Sequence, residues 1–261
     1  MNSDPQCGKA LVIGAGSAIA QALIAAMIKH PTVSEIIAIS RTAPEQDNCV
    51  QTNSIPVSYR CCDYSRAAID ELVLALLISQ QSGSQHSTPA LSPSNQSRSS
   101  QSPLIQSPLN QSPAIKNGYV SHVFICTGVL HNDHIQPEKR LEDIEADAMA
   151  ELFRINSILP TLWIQALLPL LKHSPRCVVT VFSARVGSIS DNHKGGWYSY
   201  RASKAALNML IKTAAIEYAR RAPGVKLLAF HPGTVDTALS RPFQKNVPEG
   251  KLFTPAFVAD R

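Results

Sequence analysis

The chain has 261 residues, 44% of them apolar, with 24 Lys and Arg against 19 Asp and Glu and a formal net charge of +5. This is enough apolar material for a substantial core, and α/β folds of this length often form one domain. The basic residues are spread along the chain without a Lys/Arg block, which argues against a nucleic-acid surface or an anionic-membrane anchor; the excess charge modestly favours anionic ligands such as phosphates.

Lys9–Ile13 reads as a strand and Ser17–Lys29 as a helix, joined by the small-residue turn of ALVIGAGSAIAQAL. The stretch from Ala10 to Ile28 is nearly uncharged and almost long enough to span a bilayer. Asp4 ahead of it, the missing basic n-region and the division by Gly14 and Gly16 favour strand, turn and buried helix over a membrane span or signal peptide. Further strands are expected at Glu35–Ser40 and Ile55–Cys62, followed by a helix over Arg66–Ser79. From Ser82 to Asn117 the chain is dominated by Ser, Gln, Pro and Asn, with tandem QSPLI, QSPLN and QSPAI repeats starting at Gln101, Gln106 and Gln111. Few large apolar groups are there to offset ordering entropy, so 82–117 reads as a disordered insertion, either neutral or partner-binding. Lengthening a loop by about three doublings costs only ~2 kcal/mol, and a helix-to-strand connection lies opposite the ligand side of such a sheet.

Tyr119–Thr127 then reads as a strand, Asp147–Leu171 as one long helix, Cys177–Ser183 as a strand, Tyr198–Arg221 as a helix and Lys226–His231 as a strand. Runs such as VFIC and VVTVF lack the polar alternation of a half-solvated sheet and suit parallel strands covered on both faces. The expectation is a doubly wound α/β fold, three layers around a mostly parallel sheet, over 1–261, with ligands at the carboxyl ends of the strands. The six cysteines form no CxxC pair, and adjacent Cys61 and Cys62 should face opposite sides of a strand. They read as reduced thiols of a cytoplasmic protein. The eight histidines show no ligand spacing, so no metal site is expected.

The turn after the first strand lets backbone amides approach a pyrophosphate at the positive end of a helix, which places Gly14, Ser17 and Ile19 at a dinucleotide. Arg41 follows the second strand where an adenosine ribose would lie; it either pairs with a 2′-phosphate, selecting NADP, or is an ordinary exposed arginine. Asp63 follows the third strand, placed to touch the adenine edge. Tyr200 and Lys204 stand four apart on a helix, so phenol and ammonium can share one face. A cation at ~4 Å in an effective dielectric of ~20 contributes ~4 kcal/mol, about three pKa units off a phenol that ordinarily titrates near 10. The other reading is a packed Tyr beside a surface Lys. Leu207, Leu210, Ile211, Ala214, Ala215 and Tyr218 form an apolar stripe at helical spacing, read as core or subunit interface.

With SARVGSISDNHKGGWYSYRASKAALNML, and with TGVLH at Thr127–His131, PEK at Pro137–Lys139, FRINSILP around Asn156 and HPGTVDT from His231, the chain resembles the short-chain dehydrogenase/reductase family. The similarity is to its C-factor-like and sniffer-type carbonyl reductase branch and covers everything outside the insertion. The resemblance implies that Tyr200 is the general acid/base, that Lys204 holds the nicotinamide ribose and lowers the Tyr200 pKa, and that Asn156 anchors a proton relay. Thr127 and Gly128 take the place of the usual NAG, while Pro232, Gly233, Val235 and Thr237 flank the nicotinamide. The sequence departs from the family at three places. The glycine-rich turn has Ala18 and Ala20 at its second and third positions, the slot of the carbonyl-orienting serine holds Ala184, and relatives continue beyond Arg261 to a further helix and strand. Ser183 is the nearest hydroxyl, one position off and pointing the other way if the strand continues; Ser188 is another candidate. A chain ending at Arg261 should leave Lys226–His231 as an incomplete sheet edge, with Leu252–Val258 folding over part of the gap.

The resemblance therefore implies an NADP(H)-dependent oxidoreductase, NADPH preferred and NAD also admitted, acting on a small carbonyl or alcohol. Homo-oligomer formation is left open by the sequence. Two alternatives stand beside it: an NAD(P)-binding regulatory protein with little turnover, and a C-terminally truncated, defective relative.

Overall fold

The computed structural model describes residues 7–42, 55–82 and 118–261. The low-complexity insertion and its repeats fall almost wholly outside them. Six parallel strands form one sheet: β1 (Gly8–Ile13), β2 (Val33–Ser40), β3 (Val57–Cys61), β4 (Val120–Ile125), β5 (Cys177–Phe182) and β6 (Val225–Phe230), in the order β3-β2-β1-β4-β5-β6. The inner strands β1, β2, β4 and β5 are mostly buried because their alternate side chains meet different helices, while the outer strands β3 and β6 are half-exposed. Leu11 and Ile13 join Ile37, Ile39, Val123 and Val181 on one side. There they pack on α2 (Arg66–Ser82), α4 (Leu159–Leu171) and α5 (Tyr198–Arg221) through Ile69, Trp163 and Leu207. Ala10, Val12, Ile36 and Ala38 face the other way, onto Ala20, Ile24 and Met27 of α1 (Ala18–Met27). This is the doubly wound architecture that the uninterrupted apolar strands predict. The chain runs outward from β1 to β3 and returns to β4 beside β1, so a crevice opens at the carboxyl ends of β1 and β4.

Among the described residues no helix is long and apolar enough to cross a membrane, and Ala10–Ile28 resolves into β1, a turn and α1. Cys61 is exposed and Cys62 buried, as strand alternation requires.

Two elements differ from the sequence expectation. The single long helix is interrupted: α3 (Ala146–Phe153) passes through a π-helical turn, Arg154–Ile158, into α4. Leu159 N donates to Arg154 O across that turn. The tail does not lie along β6. Leu252–Phe253 (β8) pairs with Thr234–Val235 (β7), and α6 (Pro255–Ala259) packs on α1 with Val258 buried beside Leu23. β6 is an edge strand of the sheet, with Leu228 at 47% exposure.

Candidate active site

The crevice begins at the turn after β1. Gly14 has φ +82°, and a Cβ there would lie 3.1 Å from the Cys126 backbone, so only glycine fits. Gly14 N and Ala15 N donate to Ile39 O at 2.9 and 3.0 Å, binding the turn to β2. Ser17 caps α1 by accepting from Ala20 N at 3.2 Å, leaving the amides of the first turn, Ile19 among them, at the positive helix end. Ala20, in the last glycine slot, is fully buried between helix and sheet, while Ala18 is exposed. Arg41 is exposed at the end of β2, its carbonyl 3.0 Å from Cys61 Sγ. Asp63 is also exposed; its Oδ1 accepts from Ser65 N at 2.7 Å, and this bond lowers the carboxyl pKa. Tyr64, which the sequence did not single out, has φ +66°. Its hydroxyl accepts from Gly14 N at 3.1 Å and donates to Ile39 O at 3.3 Å, supporting the turn from within.

The other end of the crevice is buried. Tyr200, Ser203 and Lys204 share one face of α5 at 7%, 0% and 3% exposure. Lys204 Nζ donates to Phe182 O at 2.9 Å, and Ser203 Oγ donates to Tyr200 O at 2.9 Å. Asn156 sits at the centre of the π turn, a geometry frequent at functional sites. Its Oδ1 accepts from Val129 N at 2.8 Å, and its Nδ2 donates to Val129 O at 2.9 Å and to Ser203 Oγ at 3.2 Å. An unpaired buried amide would cost about 1–3 kcal/mol, so these bonds hold the turn in place. Ser157 Oγ donates to Ser203 O at 2.6 Å, a second tie between the π turn and α5. Gly187 lets the chain after β5 press on α5; a Cβ there would lie 2.8 Å from the Lys204 carbonyl carbon.

Burial pushes the Tyr200 phenol up to about 12 and the Lys204 ammonium down to about 8. Lys204 Nζ lies 6.0 Å from the Tyr200 ring centroid and is held by Phe182 O, so that burial sets the direction of the phenol shift. The Ser183 assignment is corrected. Its hydroxyl donates to Asn208 Oδ1 at 2.6 Å, away from Tyr200, because strand alternation turns it to the other face. Ala184 packs instead in the cluster that holds Tyr200. Ser188 is no substitute, lying 3.4 Å from Ser190 Oγ at the exposed surface.

The wall over Tyr200 is apolar, made by Leu130, Ile135 and Leu152 with Ala184 and Val186. Three rings continue it: Trp197 against Tyr200 at 6.2 Å, Phe243 against Trp197 at 4.9 Å, and His131 against Phe243 at 5.6 Å. Neither Trp197 nor Phe243 carries a sequence signal for this role, since both are brought in from loops by tertiary packing. Pro232 to Thr237 turn beside this end. Gly233 has φ +79°, Val235 packs on Phe182, and Thr237 Oγ1 lies 3.4 Å from Val235 O.

Between the two ends, just past the carboxyl end of β4, stand Thr127 and Gly128. Thr127 Oγ1 is buried and has no hydrogen-bond partner. Gly128 faces Asn156 and Lys204, and a Cβ there would sit 3.5 Å from Asn156 Oδ1 and from Lys204 Nζ. Of the three N–H donors on Lys204, one is used by Phe182 O among the described residues. An orphaned hydroxyl, spare ammonium donors and an open helix N-terminus fit the ribose hydroxyls and phosphates of a dinucleotide.

The model of the short chain dehydrogenase family matches residues 116–248, and the chain belongs to that family. It is 36% identical over 121 residues to 1-hydroxy-2-glutathionyl-2-methyl-3-butene dehydrogenase from Rhodococcus sp. (strain AD45), covering 46% of this chain and 49% of that protein. It is 36% identical over 102 residues to the C-signal protein of Myxococcus xanthus, covering 39% and 60%. The chain thus spans about half the length of the curated relatives it matches. In fold it is similar to the carbonyl reductase Sniffer of D. melanogaster, with TM-score 0.70 and 17% identity over 97% of this chain and 89% of that one. The NADPH-bound carbonyl reductase from chicken fatty liver gives TM-score 0.71 and 18% identity over 98% and 86%.

Proposed function

We propose that the protein is an NADP(H)-dependent reductase of small apolar carbonyl compounds, also able to oxidise the corresponding alcohols. The observation that carries this reading is the buried cluster of Tyr200, Ser203, Lys204 and Asn156, with Asn156 and Lys204 facing Gly128. Hydride is what a nicotinamide cofactor supplies when bound. Tyr200, protonated at neutral pH, donates its phenolic proton to the substrate oxygen. Lys204 holds ribose hydroxyls with the donors that Phe182 O leaves unused, and those bonds favour its charged form. A charged Lys204 one helical turn away then favours the phenolate left behind, drawing the phenol down from about 12. Asn156 keeps the floor of this pocket rigid and anchors the relay that returns the proton. Thr127, Gly128 and the α1 terminus hold the dinucleotide, with Pro232–Thr237 beside the nicotinamide. Arg41, exposed and in none of the close ion pairs among the described residues, selects the 2′-phosphate.

A second reading is favoured by one observation: Ala184, where the family has its carbonyl-orienting serine, puts a methyl group in the Tyr200 cluster. A nucleotide-binding regulatory protein with slow turnover would tolerate that, and the C-signal protein is among its relatives. Titration with NADPH and NADH, followed by turnover on aldehydes, ketones and quinones, separates the readings. NADPH binding with turnover is expected, binding without turnover supports the regulatory reading, and binding of neither cofactor overturns both.

A further inference from the structure

Glu138 is a carboxylate at 4% exposure in the segment after β4, and the chemistry proposed above does not use it. A buried charge is costly unless it is compensated, and among the described residues no Lys or Arg forms an ion pair with it. Its partners are all at the start of α5. Both carboxylate oxygens lie 3.3 Å from Ser199 N, and Oε1 also accepts from Ser199 Oγ. The Glu138 carbonyl accepts from Trp197 N at 2.5 Å.

That helix start needs outside support. Its N-cap residue is Trp197, at φ +54° and without a side-chain oxygen to accept from the first-turn amides. Glu138, 61 positions before Ser199, supplies the missing acceptor, and its negative charge sits at the positive end of the helix. The chain before Trp197 is held as well: Arg201 donates to Gly196 O at 2.8 Å and Gly195 O at 3.1 Å. Tyr200 is the residue after Ser199, in this same first turn. Lys204 lies a turn deeper, fixed independently by Phe182 O and followed by Leu207 and Ile211 in the main core.

We propose that Glu138 is a positioning residue: by capping α5 from the loop after β4, it fixes the first turn and with it the direction of the Tyr200 hydroxyl. The same loop carries Leu130 and Ile135 of the apolar wall, so Glu138 locks wall and proton donor to each other. This rests on the reading of Tyr200 as the proton donor. Losing the cap should disturb Tyr200 while leaving the cofactor contacts of Lys204 and Gly128 in place.

The test uses Glu138→Ala and Glu138→Gln in the full chain, the latter keeping an acceptor for Ser199 N. The alanine variant is expected to lose at least tenfold in kcat with NADPH affinity within twofold, and the glutamine variant to keep at least a third of the parent kcat. A folded alanine variant with kcat within twofold of the parent, an equal loss in both variants, or a parallel loss of NADPH affinity would overturn the proposal. Amide hydrogen exchange is read on the same proteins and does not depend on turnover. Glu138→Ala should speed exchange at least tenfold over residues 197–201 and leave 207–218 unchanged. Unchanged exchange at 197–201 overturns the capping role itself, whereas faster exchange in Glu138→Ala with a parent that shows no turnover retains the cap and discards the reading of Tyr200.

Discussion

At the Arg41 end of the crevice the side chains expected to meet a cofactor are exposed and held by neighbours in sequence, such as Asp63 by Ser65. At the Tyr200 end they are almost fully buried and held by residues far away in the chain: Asn156 by Val129, Ser203 by Asn156, Lys204 by Phe182. An exposed charge contributes a modest, screened preference, whereas a buried network fixes positions and shifts pKa values. The first kind of site can change its cofactor preference by one substitution without touching the fold. The second couples catalysis to the core, so its residues should show large effects on rate.

The sharpest contrast is expected from Tyr200→Phe, which removes a transferable proton and little volume. It should lower turnover by about 10²–10⁴-fold with NADPH affinity nearly unchanged. Steady-state kinetics beside a fluorescence titration check it, and turnover near the parent value would mean that another group supplies the proton. Gly128→Ala comes next. The added methyl group makes ordinary contacts at 3.5 Å with Asn156 and Lys204, so the free protein should melt as the parent does. It stands where the proposed cofactor would lie, however, and should weaken NADPH binding by about ten- to a hundredfold, the scale of a 1–3 kcal/mol steric penalty. Unchanged affinity would place the cofactor elsewhere.

Smaller effects are expected at the apolar wall and at the exposed end. Ala184→Ser puts a hydroxyl into the Tyr200 cluster and should raise kcat by about tenfold, part of the range seen for a single oxyanion donor. Ser183→Ala should barely change kcat, because that hydroxyl serves Asn208. The opposite pair of results would show that Ser183 orients the substrate after all. Arg41→Ala should shrink the preference for NADPH over NADH by about tenfold, roughly 1.4 kcal/mol, and leave kcat with saturating NADPH alone. Equal affinity of the parent for both cofactors would remove Arg41 from the site.

Much of this contrast was legible in the sequence, and unevenly so. The apolar strands gave the parallel sheet because residues buried on both faces cannot alternate with polar ones. The helix Tyr198–Arg221 carries its own periodicity and appears with those bounds. Even the misdirection of Ser183 followed from strand alternation. What could not be read is what distant residues impose. The π turn at Arg154–Ile158 goes with hydrogen bonds from its Asn156 side chain to Val129, 27 positions away, and no local propensity encodes it. The left-handed Trp197 makes sense only with Glu138 beneath it. The Lys204 pKa depends on complete burial, which a surface-looking YxxxK spacing does not reveal. The departure of the tail toward α1 likewise depends on Val258 finding Leu23 and Phe182.

On the proposed reading, the buried end closes around a nicotinamide cofactor with Lys204 as its cationic contact. In the free protein, burial lowers this ammonium from 10.5 to about 8. Its folded pKa thus lies below the unfolded value, so it costs stability below pH 8 and that cost fades as pH rises toward 10.5. Hydrogen bonds from the ammonium to ribose oxygens favour the charged form, so cofactor binding should raise the pKa again and take up a proton. Calorimetric titration with NADPH at about pH 8.5, in two buffers of different ionisation enthalpy, measures this directly. Uptake of roughly half a proton or more per NADPH bound is expected, lost in Lys204→Met. Tight binding with no proton uptake, or the same uptake in Lys204→Met, would contradict it.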